Sequence, residues 1–297
     1  MKKLVLFYAA VLLCVAVSCQ KEECTTGNLN IKLTKAEESL ASITVSSAME
    51  DHELYFASAV SIDDATEFSF TLPAGNYEKI TLLDTDGAIA VLRGDFTVTA
   101  GGSLNLEFSS DIHFAVKNEY DGLYWSKTNL GAETASEHGH YFAWGYTEPY
   151  EFDEHSGEWK TVSDGTVVKF NSQYFPHRNP STFEDPAAAA WGGTWHMPTL
   201  DDFINLYNEN DNDWDTDNGI PGTKFFNLPI FIPITGCALE SELLSADEGG
   251  YYWTTTMVGT GSEYPFILMI VPMYDLIDVY DGRTDYGFSV RPVCTEL

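Results

Sequence analysis

Between residues 27 and 110 apolar and polar positions alternate with a period of two. Leu29, Ile31 and Leu33 are separated by polar neighbours, as are Phe68, Phe70 and Leu72, then Phe96 and Val98, then Leu104, Leu106 and Phe108. Successive side chains of an extended chain point to opposite faces, so each run predicts a half-buried β-strand. Pro-Ala-Gly-Asn at 73–76, Thr-Asp-Gly at 85–87 and Ala-Gly-Gly at 100–102 supply the turn chemistry between the runs. Closely spaced strands joined in this way predict a β-sandwich over residues 27–110.

From residue 112 the pattern changes to Trp- and Gly-rich segments with longer loops. Thr199 is a good N-cap, Asp201 and Asp202 lie in the first turn, and Phe203, Leu206 and Tyr207 recur at helical spacing. This predicts a short amphipathic helix over 200–209. Trp144, Trp191, Trp195 and Trp253 are too apolar to stand exposed together and are expected in a core, with Gly192 and Gly193 letting the backbone pass close beneath them. The fold class expected is mainly β with α+β, a sandwich at 27–110 followed by a second domain at 112–297.

The first residues carry a different pattern. Lys2 and Lys3 precede an apolar run, 4–17, that is too short to span a membrane. It ends in Ala16, Val17, Ser18 and Cys19, which resembles the lipobox of bacterial lipoproteins. That resemblance implies a signal peptide at 1–18, an acylated Cys19 held in outer-membrane lipid, and a tether at 19–26. Gln20, Lys21, Glu22 and Glu23 resemble the export tag of Bacteroides-type lipoproteins displayed on the extracellular face. Losing Lys2 and Lys3 takes the formal charge from -30 to -32, and such a polyanion excludes nucleic acid and anionic lipid as ligands.

Of five cysteines, Cys14 leaves with the signal and Cys19 is the lipidation site. Cys24, Cys237 and Cys294 remain in an oxidising compartment. Cys237 and Cys294 close the apolar runs FIPITGC and GFSVRPVC, which makes them the expected disulfide pair, although an odd count leaves connectivity open.

Resemblances extend to both halves. FTLPAGNYEKITL (70–82) resembles carboxypeptidase-regulatory and fimbrillin-like sandwiches. WSKTNLGAETASEHGHYFAWGYTEP (125–149), DPAAAAWGGTWHMPTLDDFINL (185–206), YYWTTT (251–256) and YGFSVRPVC (286–294) resemble, in order, four blocks of the Fibrobacter succinogenes major paralogous domain family. The chain departs from that pattern at Ser126 to Thr128, where a cysteine-bearing stretch is usual, and at His196, where Arg is usual. The family is similar to the C-type-lectin-like fold of the formylglycine-generating enzymes. This implies a twisted antiparallel sheet, one or two helices and long loops.

The best metal candidate is the acidic stretch 208–219, where Asp213, Asp215 and Asp217 alternate as calcium ligands do in an EF-hand loop. Asn218 stands where that loop has glycine and Lys224 where it has glutamate, so a solvated acidic turn competes with calcium as the reading. His138 and His140, at i and i+2, could begin a zinc site but lack further nominated ligands. There is no G-x-S-x-G, H-E-x-x-H, Walker or G-x-G-x-x-G motif, and no enzyme is expected. Trp159 and Trp214 lie in polar, acidic segments and are the candidate exposed aromatics for recognition. The function expected is a non-catalytic surface module for adhesion, binding carbohydrate or protein; the alternative is an accessory or tip subunit of a fimbria-like assembly.

Overall fold

The computed structural model describes residues 26–34, 39–48, 50–62, 66–109, 112–246, 248–259, 262–271 and 276–297. The signal peptide, Cys19 and Cys24 lie outside these residues. The architecture is mainly β, with several sheets and few helices.

The alternating runs form strands β1 (Thr26–Leu33), β2 (Ser39–Ser46), β3 (Asp51–Ser61), β4 (Thr66–Pro73), β5 (Gly75–Asp84), β6 (Ile89–Val98) and β7 (Ser103–Phe108). β1 pairs antiparallel with β4 and parallel with β7 in a three-stranded sheet. Leu29, Ile31 and Leu33 are all 0% exposed, and Phe68, Phe70 and Leu72 are buried beside them. The period-two pattern therefore reports the inward face correctly. These side chains meet those of Ile43, Ile80 and Leu82, from β2 and β5 of a second sheet, in one core.

That second sheet continues past the junction near residue 110. After β6 come β8 (Ala115–Lys117) and β9 (Tyr124–Ser126), then the strands Val293–Cys294 and Trp195–His196, giving eight strands with β3 at one edge. The link is Ile89 of β6 opposite Ala115 of β8, and Trp125 of β9 then lies opposite both Val116 and Val293. The same buried cluster holds Leu29 and Leu82 from the first half and Trp125, Phe203 and Tyr252 from the second. An ion pair also crosses the junction, Lys127 Nζ to Asp84 Oδ2 at 2.7 Å, with Asp84 almost wholly buried.

In the second half the four distant blocks converge. Trp253 Nε1 donates to the Phe142 carbonyl at 2.6 Å and Trp144 Nε1 to the Thr254 carbonyl at 3.1 Å. Trp195 pairs with Cys294 across two strands. Among the described residues two α-helices accompany the sheets, α1 (Pro186–Trp191) and α2 (Leu200–Glu209). α2 begins with a full capping box: Asp202 N–H donates to Thr199 Oγ1 at 3.1 Å, and Thr199 N–H donates to Asp202 Oδ2 at 2.7 Å. Phe203, Leu206 and Tyr207 are its buried face.

Two details differ from the sequence expectations. Gly192 and Gly193 have φ of 67° and 58°, and no atom lies within 4 Å of where a Cβ would stand, so glycine is required there by the left-handed turn and not by close approach. The expected Cys237–Cys294 disulfide is not formed. Both thiols are free and buried, Cys237 beside Trp144 and Trp253, and Cys294 in a separate cluster with Ala115 and Trp195. Ending an apolar run predicts burial, and burial alone does not bring two strand ends together. It also pushes the Cys237 thiol up to about 11 and the Cys294 thiol up to about 12, which keeps both protonated and unreactive near neutral pH.

Candidate functional site

Trp159 is not an exposed recognition residue. Its segment folds as the antiparallel strands Tyr150–Asp153, Glu158–Thr161 and Val167–Val168, and Trp159 lies opposite Phe152 and Val168. The ring is 0% exposed. It sits 4.8 Å from Tyr141, 5.1 Å from Phe152 and 5.2 Å from Phe170, centroid to centroid, while its Nε1 donates to the Glu242 carbonyl at 3.2 Å. Trp214 is half-buried and packs on the main core from the strand Asn212–Asp217.

The same strand explains the aspartates. Asp213 and Asp215 are exposed while Trp214, between them, turns inward. Residues at i and i+2 of a strand stand about 6.7 Å apart, so Asp213, Asp215 and Asp217 are strung out along the strand. They do not wrap a centre needing ligands at about 2.3–2.6 Å. Asp213 accepts from the Trp214 N–H and Asp215 from the Thr216 N–H, both at 2.8 Å, and Asp215 also pairs with Lys224 at 3.4 Å. The Thr216 N–H, then Lys224, hold the Asp215 carboxyl below the usual range. Among the described residues no group of three His, Cys, Asp or Glu is disposed to hold a metal. His138 and His140 lie in a loop and not on a strand. His196 Nδ1 is 2.8 Å from the Thr194 carbonyl.

The structure instead brings together a cleft of about 590 Å³ at the junction of the two halves, lined by Arg93, Phe108, His113, Trp191, Trp195 and Glu296 among others. Arg93 comes from β6 and Phe108 ends β7, while Trp191 ends α1. α1 starts at Asp185, whose Oδ1 accepts from the Ala187 and Ala188 N–H groups and whose Oδ2 accepts from Met197 N–H at 2.8 Å. The left-handed turn at Gly192 and Gly193 then folds the chain back so that Trp195 meets Trp191 edge-on, 4.9 Å apart at 85°. His113 stacks flat on Trp191 at 3.8 Å and 14°. On the rim Arg93 Nη2 pairs with Glu296 at 2.9 Å and Arg93 Nε donates to the Leu297 carbonyl at 2.9 Å. Thr194 Oγ1 holds the same segment by donating to the Glu296 carbonyl at 2.7 Å.

The cleft thus offers an aromatic wall and a polar rim in a volume of ligand size. Trp191 differs from the core position expected for it, because it is only half-buried and borders the opening. Arg93 and His113 were not singled out by any sequence motif, and Phe108 only as the end of an alternating run. Their only signal is their position at strand ends and next to the junction.

A second aromatic surface lies on loops of the second half. Tyr264, 41% exposed, meets His177 edge-on at 5.5 Å, and His177 Nδ1 is hydrogen-bonded to Thr284 Oγ1. Arg283 lies 5.2 Å over Tyr286 while paired with buried Asp285, and Arg178 lies 3.9 Å over Tyr146. Burial pushes the His140 imidazole, on another loop, below its ordinary value.

No family model and no curated protein matches the sequence. The NMR structure of the protein from Eubacterium rectale is similar over 31% of this chain and 85% of its own, at 14% identity and a TM-score of 0.23. A likeness that slight carries no argument about fold or function.

Proposed function

We propose that the chain is a non-catalytic surface lipoprotein, anchored through Cys19 on the extracellular face of the outer membrane, that binds glycan in the cleft at residues 93, 113 and 191. The observation that carries this reading is the half-buried Trp191, backed by His113 and bordered by the Arg93–Glu296 rim, in a cleft of about 590 Å³. A flat indole with one face already stacked presents apolar area to a sugar ring, and the rim groups supply directional hydrogen bonds to hydroxyls. The resemblance of residues 112–297 to the Fibrobacter succinogenes major paralogous domain family, and through it to C-type-lectin-like folds, rests on the four sequence blocks at 125–149, 185–206, 251–256 and 286–294 and is carried here as part of the proposal.

The reading is tested on a glycan array with the chain starting after Cys19, run with and without calcium. Trp191→Ala is expected to weaken binding by about 2 kcal/mol, about 30-fold in Kd, while Trp214→Ala leaves Kd unchanged. Equal binding by wild type and Trp191→Ala would move the site elsewhere.

A protein partner is favoured by one specific feature, the loop surface of Tyr146, Arg178, His177, Tyr264 and Tyr286, since Tyr and Arg are enriched where proteins meet. The fimbria-like alternative would use the open edge of β3, where exposed Asp51 and Glu53 oppose the addition of another strand.

Anchoring has its own test. No helix among the described residues is long and apolar enough to cross a membrane. Cys19→Ala is expected to move the protein from the membrane fraction to the soluble fraction after cell lysis. Retention of all of it in membranes would rule out the lipid anchor.

A further inference from the structure

Arg291 is the largest charged side chain in the interior, 0% exposed. Its Nη1 donates to the Ser126 carbonyl at 3.0 Å and its Nη2 to the Phe231 carbonyl at 2.9 Å. Among the described residues no carboxylate pairs with it, and its ionisable neighbours in reach are two phenols, Tyr252 and Tyr207. Burial pushes Tyr252 up to about 12 and Tyr207 higher still, so neither supplies negative charge. Burial also pushes Arg291 down, but only to about 10, so the guanidinium stays protonated near neutral pH. A buried cation balanced only by two carbonyl dipoles and the neutral Tyr252 hydroxyl is costly.

Around it lie several buried polar atoms with no protein partner in hydrogen-bonding geometry. Arg291 Nε, Trp125 Nε1 and the Tyr207 Oη–Thr223 Oγ1 hydroxyl pair, which face each other, can donate, and Asn129 Oδ1 can accept. They belong to one region. Trp125 precedes Ser126, which holds Arg291. Thr223 neighbours Tyr207 and lies opposite Ile232, next to Phe231, which also holds Arg291. Asn129 reaches the Tyr252 hydroxyl at 3.4 Å, and that hydroxyl donates to the Pro233 carbonyl at 2.5 Å. Native interiors rarely leave so many donors unmatched, and here one of them is the guanidinium's own Nε and the others belong to residues of the same region.

We propose that this cluster is a binding site for a small monovalent anion of the halide class, held by Arg291 Nε with Trp125, Tyr207 and Thr223 as the other donors. A single negative charge matches the single guanidinium. A divalent oxyanion would leave excess charge in a medium of low dielectric. The site ties β9, α2, the strand Phe231–Pro233 and the strand Gly250–Met257 to the irregular segment just before Val293, so its occupancy bears on the stability of the shared core and not on the cleft.

The test uses the full chain without its signal peptide. Its Tm is measured across sodium chloride concentrations and in sodium gluconate of equal ionic strength, and crystals are grown in sodium bromide for anomalous scattering. The site predicts that Tm rises by about 2–4 °C for each tenfold increase in chloride above saturation, with no such rise in gluconate. It also predicts a bromide peak within hydrogen-bond reach of Arg291 Nε. Arg291→Met should abolish the effect, but it also strips two core carbonyls of their donor and threatens folding itself. Tyr207→Phe therefore serves as the second variant, keeping the ring while deleting one donor. Its chloride dependence is expected to shrink. Equal Tm in both salts with no bromide peak would overturn the proposal and leave the cluster to water alone, and an undiminished chloride effect in Tyr207→Phe would overturn the assignment of the donors.

Discussion

Asp84→Ala is expected to destabilise both halves of the protein at once, by about 3 kcal/mol, because it removes the buried partner of Lys127, whose other carboxylate, Asp86 at 3.3 Å, is exposed. Asp84 is 1% exposed and Lys127 10% at the side chain, and their 2.7 Å contact joins the β5–β6 turn to the chain just after β9. Asp84 Oδ1 also accepts from the Asp86 and Ala88 N–H groups at 2.9 and 2.7 Å, so the turn itself loses its fastening. Asp84→Asn separates the two effects, since its amide oxygen can still accept those bonds while the ion pair is gone. All seven tryptophans lie between residues 125 and 253, so indole fluorescence reports the second half and hydrogen exchange of β1 and β5 amides reports the first. Urea unfolding of wild type should show one midpoint by both probes, and Asp84→Ala should lower both together. Two separate midpoints in wild type would mean that the eight-stranded sheet does not unite the halves.

What the sequence made legible is what local burial determines. The period-two runs gave the inward faces of β1, β4 and β6, and the Thr199 and Asp202 pairing gave the helix start, because each depends on neighbours a few residues away. Composition misled where it overrode that rule. Trp159 lies between Glu158 and Lys160, and Trp214 between Asp213 and Asp215. Acidic surroundings suggested exposure, yet polar-apolar-polar alternation is the signature of an inward-facing strand position. The cleft was not legible because Arg93, His113 and Trp191 meet only through the register of a sheet that runs across the junction. No spacing in the chain encodes that register. The cysteine pairing failed for a related reason, since Cys237 and Cys294 each satisfy a local pattern of burial in different clusters.

Trp159→Ala is expected to cost about 3–5 kcal/mol of folding stability, as truncation of a fully buried aromatic does. The ring is the centre of its cluster, in contact with Tyr141, Phe152 and Phe170, and its removal leaves a cavity that three rigid aromatic rings cannot collapse to fill. It also deprives the Glu242 carbonyl of the indole N–H. Trp159→Phe retains most of the packing and is expected to cost less, which separates the cavity from the lost hydrogen bond. Glycan affinity of the folded fraction should match wild type in both variants, because Trp159 belongs to a different cluster from the cleft aromatics Trp191 and Trp195. The measurement is a urea melt paired with a binding isotherm at a temperature where the variant remains folded. Unchanged stability with lost affinity would return Trp159 to the role of a surface anchor. Lost stability with intact affinity would leave the cleft around Trp191 as the place where recognition is to be sought.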